Sequence, residues 1–313
     1  TGQVGELNAN IDTLVTHQFP ALAAKFLGTG APNTFTVHGD DAPPFYLAKV
    51  GAGPLGQTDP DTRSFERSVA GLTALNPYTG ATDQVMVQMA DQTGMKALHM
   101  FTTGDTARNA TFTFFADANY FLTDFPTNTC ETCENPAFAW NHGDIQPEIA
   151  STWLGFVGPG VQSQSDVHVW TDHTDVRPTM FELLGLQDSY QADGRVVTQA
   201  LTASALASTL SSNQATIEAL GDAYKQINAP FAAFATSALV TSTVALKADD
   251  ASYAALEASL AALVVRRDAL AGPIRAALDG AAFSGQPVDS TQAQAWISQA
   301  QTLLADAAAL AAP

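Results

Sequence analysis

Beyond about residue 200 this chain loses the features that build a sheet. Alanine dominates, the alternating β-branched runs stop, and three helical runs remain, over 200–245, 250–280 and 290–312. Breaks fall at Asp249-Asp250 and at Phe283-Ser284-Gly285-Gln286-Pro287. Asn228-Ala229-Pro230 should kink or split the first run, because proline removes a backbone donor and crowds the preceding turn. Ala-rich amphipathic helices of this length pack as an antiparallel bundle or hairpin. Any sheet must therefore lie earlier, which predicts two domains: residues 1–199 with strands, and residues 200–313 as an all-helical structural or docking appendage. Arg266-Arg267 reads as a solvated helix face.

The earlier part alternates between the two periodicities. Leu7, Ile11, Leu14, Val15, Phe19, Leu22 and Phe26 fall at helical spacing and stop at Gly28-Thr29-Gly30. Residues 34–50 read as short extended pieces around Asp40-Asp41-Ala42-Pro43-Pro44. Asp61-Thr62 reads as the N-cap of a helix carrying Phe65, Val69, Leu72 and Leu75, closed by Asn76-Pro77. Val85–Met89 fits strand or helix, and Met95–Phe101 fits a helix. Thr111–Ala116 alternates and is β-branched and aromatic, hence a strand. A long loop over 123–141 precedes an apolar strand, Thr152–Val157, and a helix over Pro178–Leu186 with Asp175 as N-cap. Strand, loop, strand, helix is an α/β pattern.

Composition narrows the partners. Hydrophobic residues make up 46%, enough for a sizeable core. With 31 acidic against 13 basic residues, the net charge is −18 and no basic stripe relieves it, which excludes nucleic-acid binding on electrostatic grounds. The two cysteines, Cys130 and Cys133, form a CxxC that could be a redox pair, half a zinc site, or a small disulfide clamping a surface loop. The lack of a second pair and the acidic, Asn/Thr/Pro-rich neighbours favour the disulfide, and with it an oxidising compartment. Thr1, with no leader and no membrane-length apolar run after it, reads as the start of a processed or truncated piece of a longer protein.

Few positions can support chemistry. Among six histidines, His17 and His99 lie in helical stretches without partners at ligand spacing, and His168 alternates with Val167 and Val169 as an exposed strand residue. His38, in His38-Gly39-Asp40-Asp41, could bind a cation beside its carboxylates, but a Pro-rich segment follows it. His142, in Trp140-Asn141-His142-Gly143-Asp144, has a glycine to permit a tight turn, a carboxylate beside it, and an apolar strand downstream that ends at Gly158-Pro159-Gly160. A neutral imidazole on a strand-end loop is a common ligand for a catalytic divalent metal, and a nearby carboxylate can orient it. Asp172-His173-Thr174-Asp175 could ligate metal, or its aspartates could cap the following helix, the reading favoured here.

The run from Trp140 to Ile149, then Thr152-Trp153-Leu154-Gly155-Phe156-Val157-Gly158-Pro159-Gly160-Val161, resembles the C-terminal part of an alkaline-phosphatase-superfamily hydrolase. The likeness is to bacterial proteins of the type I phosphodiesterase/nucleotide pyrophosphatase group. Arg177-Pro178-Thr179 leading to Leu183-Leu184-Gly185-Leu186, the segment Gln187–Arg195, and Thr113–Phe121 extend it over residues 1 to about 200. The resemblance implies an α/β sandwich whose strand-end loops hold two divalent metals, usually zinc, with a Thr or Ser nucleophile attacking phosphorus. Carried over residue by residue, only His142 matches a metal ligand.

The nucleophile, the Asp-x-x-x-His ligands and the Asp-His pair of the superfamily have no counterpart in these 313 residues. The resemblance therefore implies a fragment of a secreted or cell-surface phosphoester hydrolase, completed by the N-terminal half of the same precursor and acting on a small phosphoester. Two other classes remain open. One is an inactive assembly or surface protein that keeps the hydrolase scaffold and uses its helical tail, residues 200–313, for docking or self-association. The other is an acidic cation-binding module.

Overall fold

The computed structural model describes residues 5–124, 130–138, 142–163, 167–187 and 190–312. Trp140, Asn141 and part of the cysteine loop, together with Asp188 and Ser189, lie outside the described residues. The chain is a mixed α/β protein. Its contacts divide it into one compact unit of Thr1–Thr152 with Leu239–Leu260, and another of Trp153–Ala238 with Ala261–Pro313. The compositional change near residue 200 therefore falls inside the second unit.

In the first unit, β1 (Glu6–Asn10) leads into α1 (Ile11–Gln18) and α2 (Pro20–Phe26). The expected single helix over 7–27 begins later, because residues 6–10 are extended and pair with other strands, and because Asn10 caps α1 by accepting from Thr13 N at 3.1 Å. It also breaks at Phe19, whose φ of −131° is non-helical, as the residue before a proline tends to be. The extended pieces expected next are β2 (Asn33–Val37), β3 (Pro44–Lys49) and the short β4 (Gly53–Pro54).

Helix α3 (Pro60–Val69) is capped by Asp59, whose carboxylate accepts from Asp61 N at 2.8 Å. Asp61, expected as the cap, instead accepts from Asn33 at 2.8 Å and pairs with Lys25. The helix also stops before Leu72 and Leu75. Leu72 is buried beyond its end, and Leu75 sits in β5 (Thr73–Leu75), which pairs with β6 (Thr82–Gln84) as a hairpin.

Strands β7 (Met86–Asp91) and β8 (Phe112–Ala116) flank α4 (Gln92–Ala97), and β9 (Tyr120–Thr123) and β10 (Thr132–Asn135) follow. One sheet has the order β2-β3-β8-β7, all antiparallel, with β4 on β3. The second has the order β10-β1-β9, with β1 parallel to β9 and antiparallel to β10. Every residue of β8 is buried, which is what its uninterrupted Phe-Thr-Phe-Phe-Ala run requires. Phe45, Phe65, Phe112 and Phe114 stack around it, the Phe45 and Phe114 ring centroids 4.4 Å apart. Cys130 and Cys133 form a disulfide at the entrance to β10, where Cys133 sits opposite Asn8. The local clamp is thus the correct reading of the CxxC. A short α5 (Pro147–Ala150) lies near the end of this part of the unit.

The second unit contains α6 (Val176–Leu184), α7 (Ser208–Ser211), α8 (Gln214–Asn228) and α11 (Ser290–Ala311), with parts of α9 (Ala233–Lys247) and α10 (Asp250–Phe283). Asn228-Ala229-Pro230 does split the first helical run, and Phe231 just beyond it has a φ of +59°. Between residues 200 and 213 the expected helix is replaced by short turns and α7. Arg267 is buried, over the Phe234 ring at 5.5 Å, which corrects its expected place on a solvated face; Arg266 pairs with Asp306. The run Gln214–Lys247 is apolar enough to cross a membrane, but it is interrupted and mostly buried, and a core helix passes the same test.

The largest departure concerns Trp153-Leu154-Gly155-Phe156-Val157. It joins no strand, and Trp153 and Val157 are 89% and 100% exposed. Its apolar pattern demands a partner that the described residues do not supply.

Replacing Phe65, which touches the rings of Phe26, Phe35, Phe45 and Phe112, with alanine should cost the first unit about 3–5 kcal/mol. Calorimetric melting of wild type and Phe65→Ala would measure it; a change below about 1 kcal/mol would contradict this packing.

Candidate functional site

The two His-Gly-Asp turns of the sequence meet in the first unit. Asp40 is tied to β9 by a two-bond bridge, Asp40 N to Leu122 O at 3.1 Å and Leu122 N to Asp40 O at 2.9 Å. Asp41 O accepts from Ala116 N at 3.0 Å, fixing the first turn to the end of β8. The second turn arrives at the same strand end, where Gln146 donates its side-chain amide to Ala116 O at 3.2 Å. Gly143, with a φ of +104°, lies so close to Asp40 that a Cβ there would stand 2.7 Å from Oδ1. The glycine is thus required both by its dihedral and by the approaching carboxylate.

Around this junction Glu6, Asp41 and Asp144 are buried and Asp40 and Asp117 half-buried. Burial, then the charges of Glu6, Asp144 and Asp40, push Asp41 up to about 7. Burial pushes Asp144 up to about 6 against the Ile145 N–H and Gln146 bonds that lower it, with Asp117 and Asp40 adding to the rise. Asp12 is likewise pushed to about 6 by burial and then by Asp124. The chemistry available is that of carboxyl groups that exchange protons near neutrality, beside two exposed imidazoles, His38 and His142.

His142 stands on a glycine-hinged loop beside the end of β8, and not ahead of the Thr152–Val157 strand that its sequence context predicts, since that segment joins no sheet. The carboxyls beside it do not turn it into a metal centre. Among the described residues no group of three or more His, Cys, Asp or Glu side chains is placed to hold a metal ion. The described residues by themselves do not make up a two-metal site.

The Asp172-His173-Thr174-Asp175 turn, in the second unit, is a cap. Asp172 accepts from Thr174 N at 2.9 Å, and Asp175 accepts from Asp172 N at 3.1 Å, a reciprocal capping box. Asp172 caps the single 3-10 turn His173–Asp175, while Asp175 holds the expected N-cap position of α6, though without a side-chain cap bond to that helix. Asp175 is fully buried and accepts from Arg195 N at 2.7 Å. Lys225, buried on α8, bridges the two carboxylates at 2.7 and 3.1 Å, and Arg195 meets Asp222 of the same helix at 2.8 Å. His173 stays exposed. No sequence pattern marked Lys225; the signal available was a lone lysine on the face that carries Ile217, Leu220 and Tyr224.

His17 pairs with Glu131, His99 lies just beyond α4 with a φ of +57°, and His168 is exposed but outside any strand, contrary to expectation. Compared with protein-family models, curated proteins and solved structures, the chain matches none.

Two outcomes follow from these charges. Asp12 and Asp41 hold protons more tightly folded than unfolded, so their stabilising effect is complete below about pH 4 and is lost as pH rises through about 6 and about 7. The melting temperature of the first unit should fall between about pH 5 and about pH 8, and Asp41→Asn should flatten that fall; a rise over the same range would contradict the burial of these groups. In the second unit, Lys225→Met leaves two aspartates without their cation and should cost about 3–5 kcal/mol. Urea unfolding followed by tryptophan fluorescence reads it, since Trp153, Trp170 and Trp296 all lie there; a loss under about 1 kcal/mol would mean the bridge is not formed.

Proposed function

We propose that this chain is the closing part of a secreted or cell-surface phosphoester hydrolase of the alkaline-phosphatase superfamily, resembling type I phosphodiesterases and nucleotide pyrophosphatases. In this reading residues outside the 313 supply the nucleophile, the remaining metal ligands and most of the sheet. His142 contributes one imidazole ligand. The observation that carries the proposal is the exposed, glycine-hinged His142 turn at a strand end, the one motif that matches a ligand of the superfamily. The exposed apolar Trp153–Val157 segment adds support, since the resemblance makes it a core strand and here it joins no sheet.

When bound, a divalent metal, zinc in most of the superfamily, would activate the nucleophile and stabilise the leaving oxygen. The described residues of this chain do not complete that centre, so its own contribution is structural and positional. Gly143 lets the backbone turn tightly, while Asp40 packs against the turn and fixes where His142 leaves the fold. The substrate is a small phosphoester; the net charge of −18 disfavours polymeric nucleic acid.

The test uses the intact precursor, or the two fragments purified together, with bis-p-nitrophenyl phosphate as substrate. His142→Ala should lower turnover by at least about 100-fold, the upper end of what altered outer-shell partners alone cause, and should reduce bound zinc by metal analysis. Unchanged turnover and metal content would reject the assignment.

A further inference from the structure

Three carboxyl groups and one guanidinium are gathered inside the first unit, away from the His142 turn. Arg63 and Glu66 come from α3, Asp91 from the junction of β7 with α4, and Tyr253 and Glu257 from the first turns of α10. Arg63 and Glu66 are ion-paired and essentially without solvent contact. Arg63 Nη2 also donates to the carbonyls of Ala245 and Leu246 at 3.2 Å and of Ala248 at 3.1 Å, the end of α9 where carbonyls lack helical donors. Its guanidinium lies 3.9 Å from the Tyr253 ring centroid.

Asp91 is the hinge of the cluster. One of its oxygens accepts from Thr93 N at 2.9 Å and Gly94 N at 3.1 Å, capping α4. The other accepts from the Tyr253 hydroxyl at 2.8 Å. Its own N–H donates to Ser242 Oγ at 3.2 Å, while Thr243 Oγ1 accepts from Met89 N at 2.9 Å, so α9 is attached through the same stretch of β7. Three hydrogen-bond donors thus converge on its carboxylate.

Glu257 shares one hydrogen bond with Asp91 and another with Thr93. Its Oε1 is buried without a hydrogen-bond partner, as is Oε1 of Glu66. The other charges around the cluster are already engaged: Arg67 pairs with Asp250, and Asp249 accepts from Ser252 N and Ala251 N. Lys247, in the last turn of α9, is exposed. One guanidinium faces three carboxyls, and at least one of them must stay neutral while the segment is docked.

We propose that this cluster is a proton-dependent latch. With Glu257 protonated, Leu239–Leu260 is held on the rest of the first unit; when its proton passes to the solvent, an uncompensated negative charge beside Asp91 releases the segment. Burial, then the charge and hydrogen bond of Asp91, push Glu257 up to about 8. Burial likewise holds Glu66 well above its ordinary value, with Arg63 opposing. For an acid raised in this way, stability is complete below the unfolded value and lost as pH rises through the folded one. The latch therefore opens on the alkaline side.

Pulse proteolysis of the full chain at about pH 7.5 and about pH 9 tests this, with protease activity normalised on a short peptide at each pH and cut sites mapped by mass. Cleavage within residues 239–260 should accelerate about fivefold to tenfold, tracking the open population. E257Q keeps a neutral amide beside Asp91 and should abolish the acceleration; Glu257→Ala, which removes the carboxyl altogether, should do the same. Asp12, Asp41 and Asp144, which titrate lower, are largely ionised across this window. Equal cleavage of wild type at both pH values, or undiminished acceleration in both variants, would overturn the latch.

Discussion

A charge taken out of water costs several kcal/mol unless a partner meets it there, and the joints of this protein are made of such meetings. Arg63 receives Glu66 and the end of α9; Asp91 receives Tyr253; Lys225 receives Asp172 and Asp175. Apart from the Arg63–Glu66 pair within α3, each joins segments from 50 to 185 residues apart in sequence. An apolar side chain at position 225 could bury as much surface, but it would not select the Asp172–Asp175 turn over another polar loop. The contribution of these pairs is the correct seating of one segment on another, which apolar packing alone leaves loosely specified.

That is also why some elements could be read from the sequence and others could not. Strand β8 is legible from its β-branched and aromatic residues, although Thr111–Ala116 reads as alternating and the structure buries every residue of Phe112–Ala116. The breaks at Pro230 and before Asp250 were equally plain, being backbone chemistry. The first helix was placed too early, because Leu7 and Ile11 fit helical spacing and nothing local reports that Leu7 will sit opposite Tyr120 in a strand 113 residues away. The helix of residues 60–69 was drawn too long for the same reason: Leu72 and Leu75 keep the helical period by accident while the hairpin claims the chain.

At the candidate site, sequence showed the ingredients without their arrangement. Both His-Gly-Asp turns were visible, yet nothing in either spelled out that Gly143 would press on the Asp40 carboxylate. The Asp172 turn showed its capping pattern, but its charge balance depended on Lys225, a residue with no local signature. Resemblance supplied what composition and periodicity could not, a reason for an exposed imidazole to sit at a strand end. The carboxyls around it explain the precision of the turn; the chemistry proposed for it needs ligands from beyond this sequence.

The bare Trp153–Val157 segment has a colloidal consequence. Five uncharged residues, among them the strand-favouring Trp153, Phe156 and Val157, with Trp153 and Val157 almost wholly in solvent, are the kind of stretch through which separate copies of a chain adhere. Mutual repulsion from a net charge of −18 holds those copies apart at neutral pH. Acidification toward the isoelectric point removes that repulsion while leaving the sticky segment in place, so solubility and fold stability pull in opposite directions as pH falls. Handling of the isolated chain is governed by the first of these long before the second.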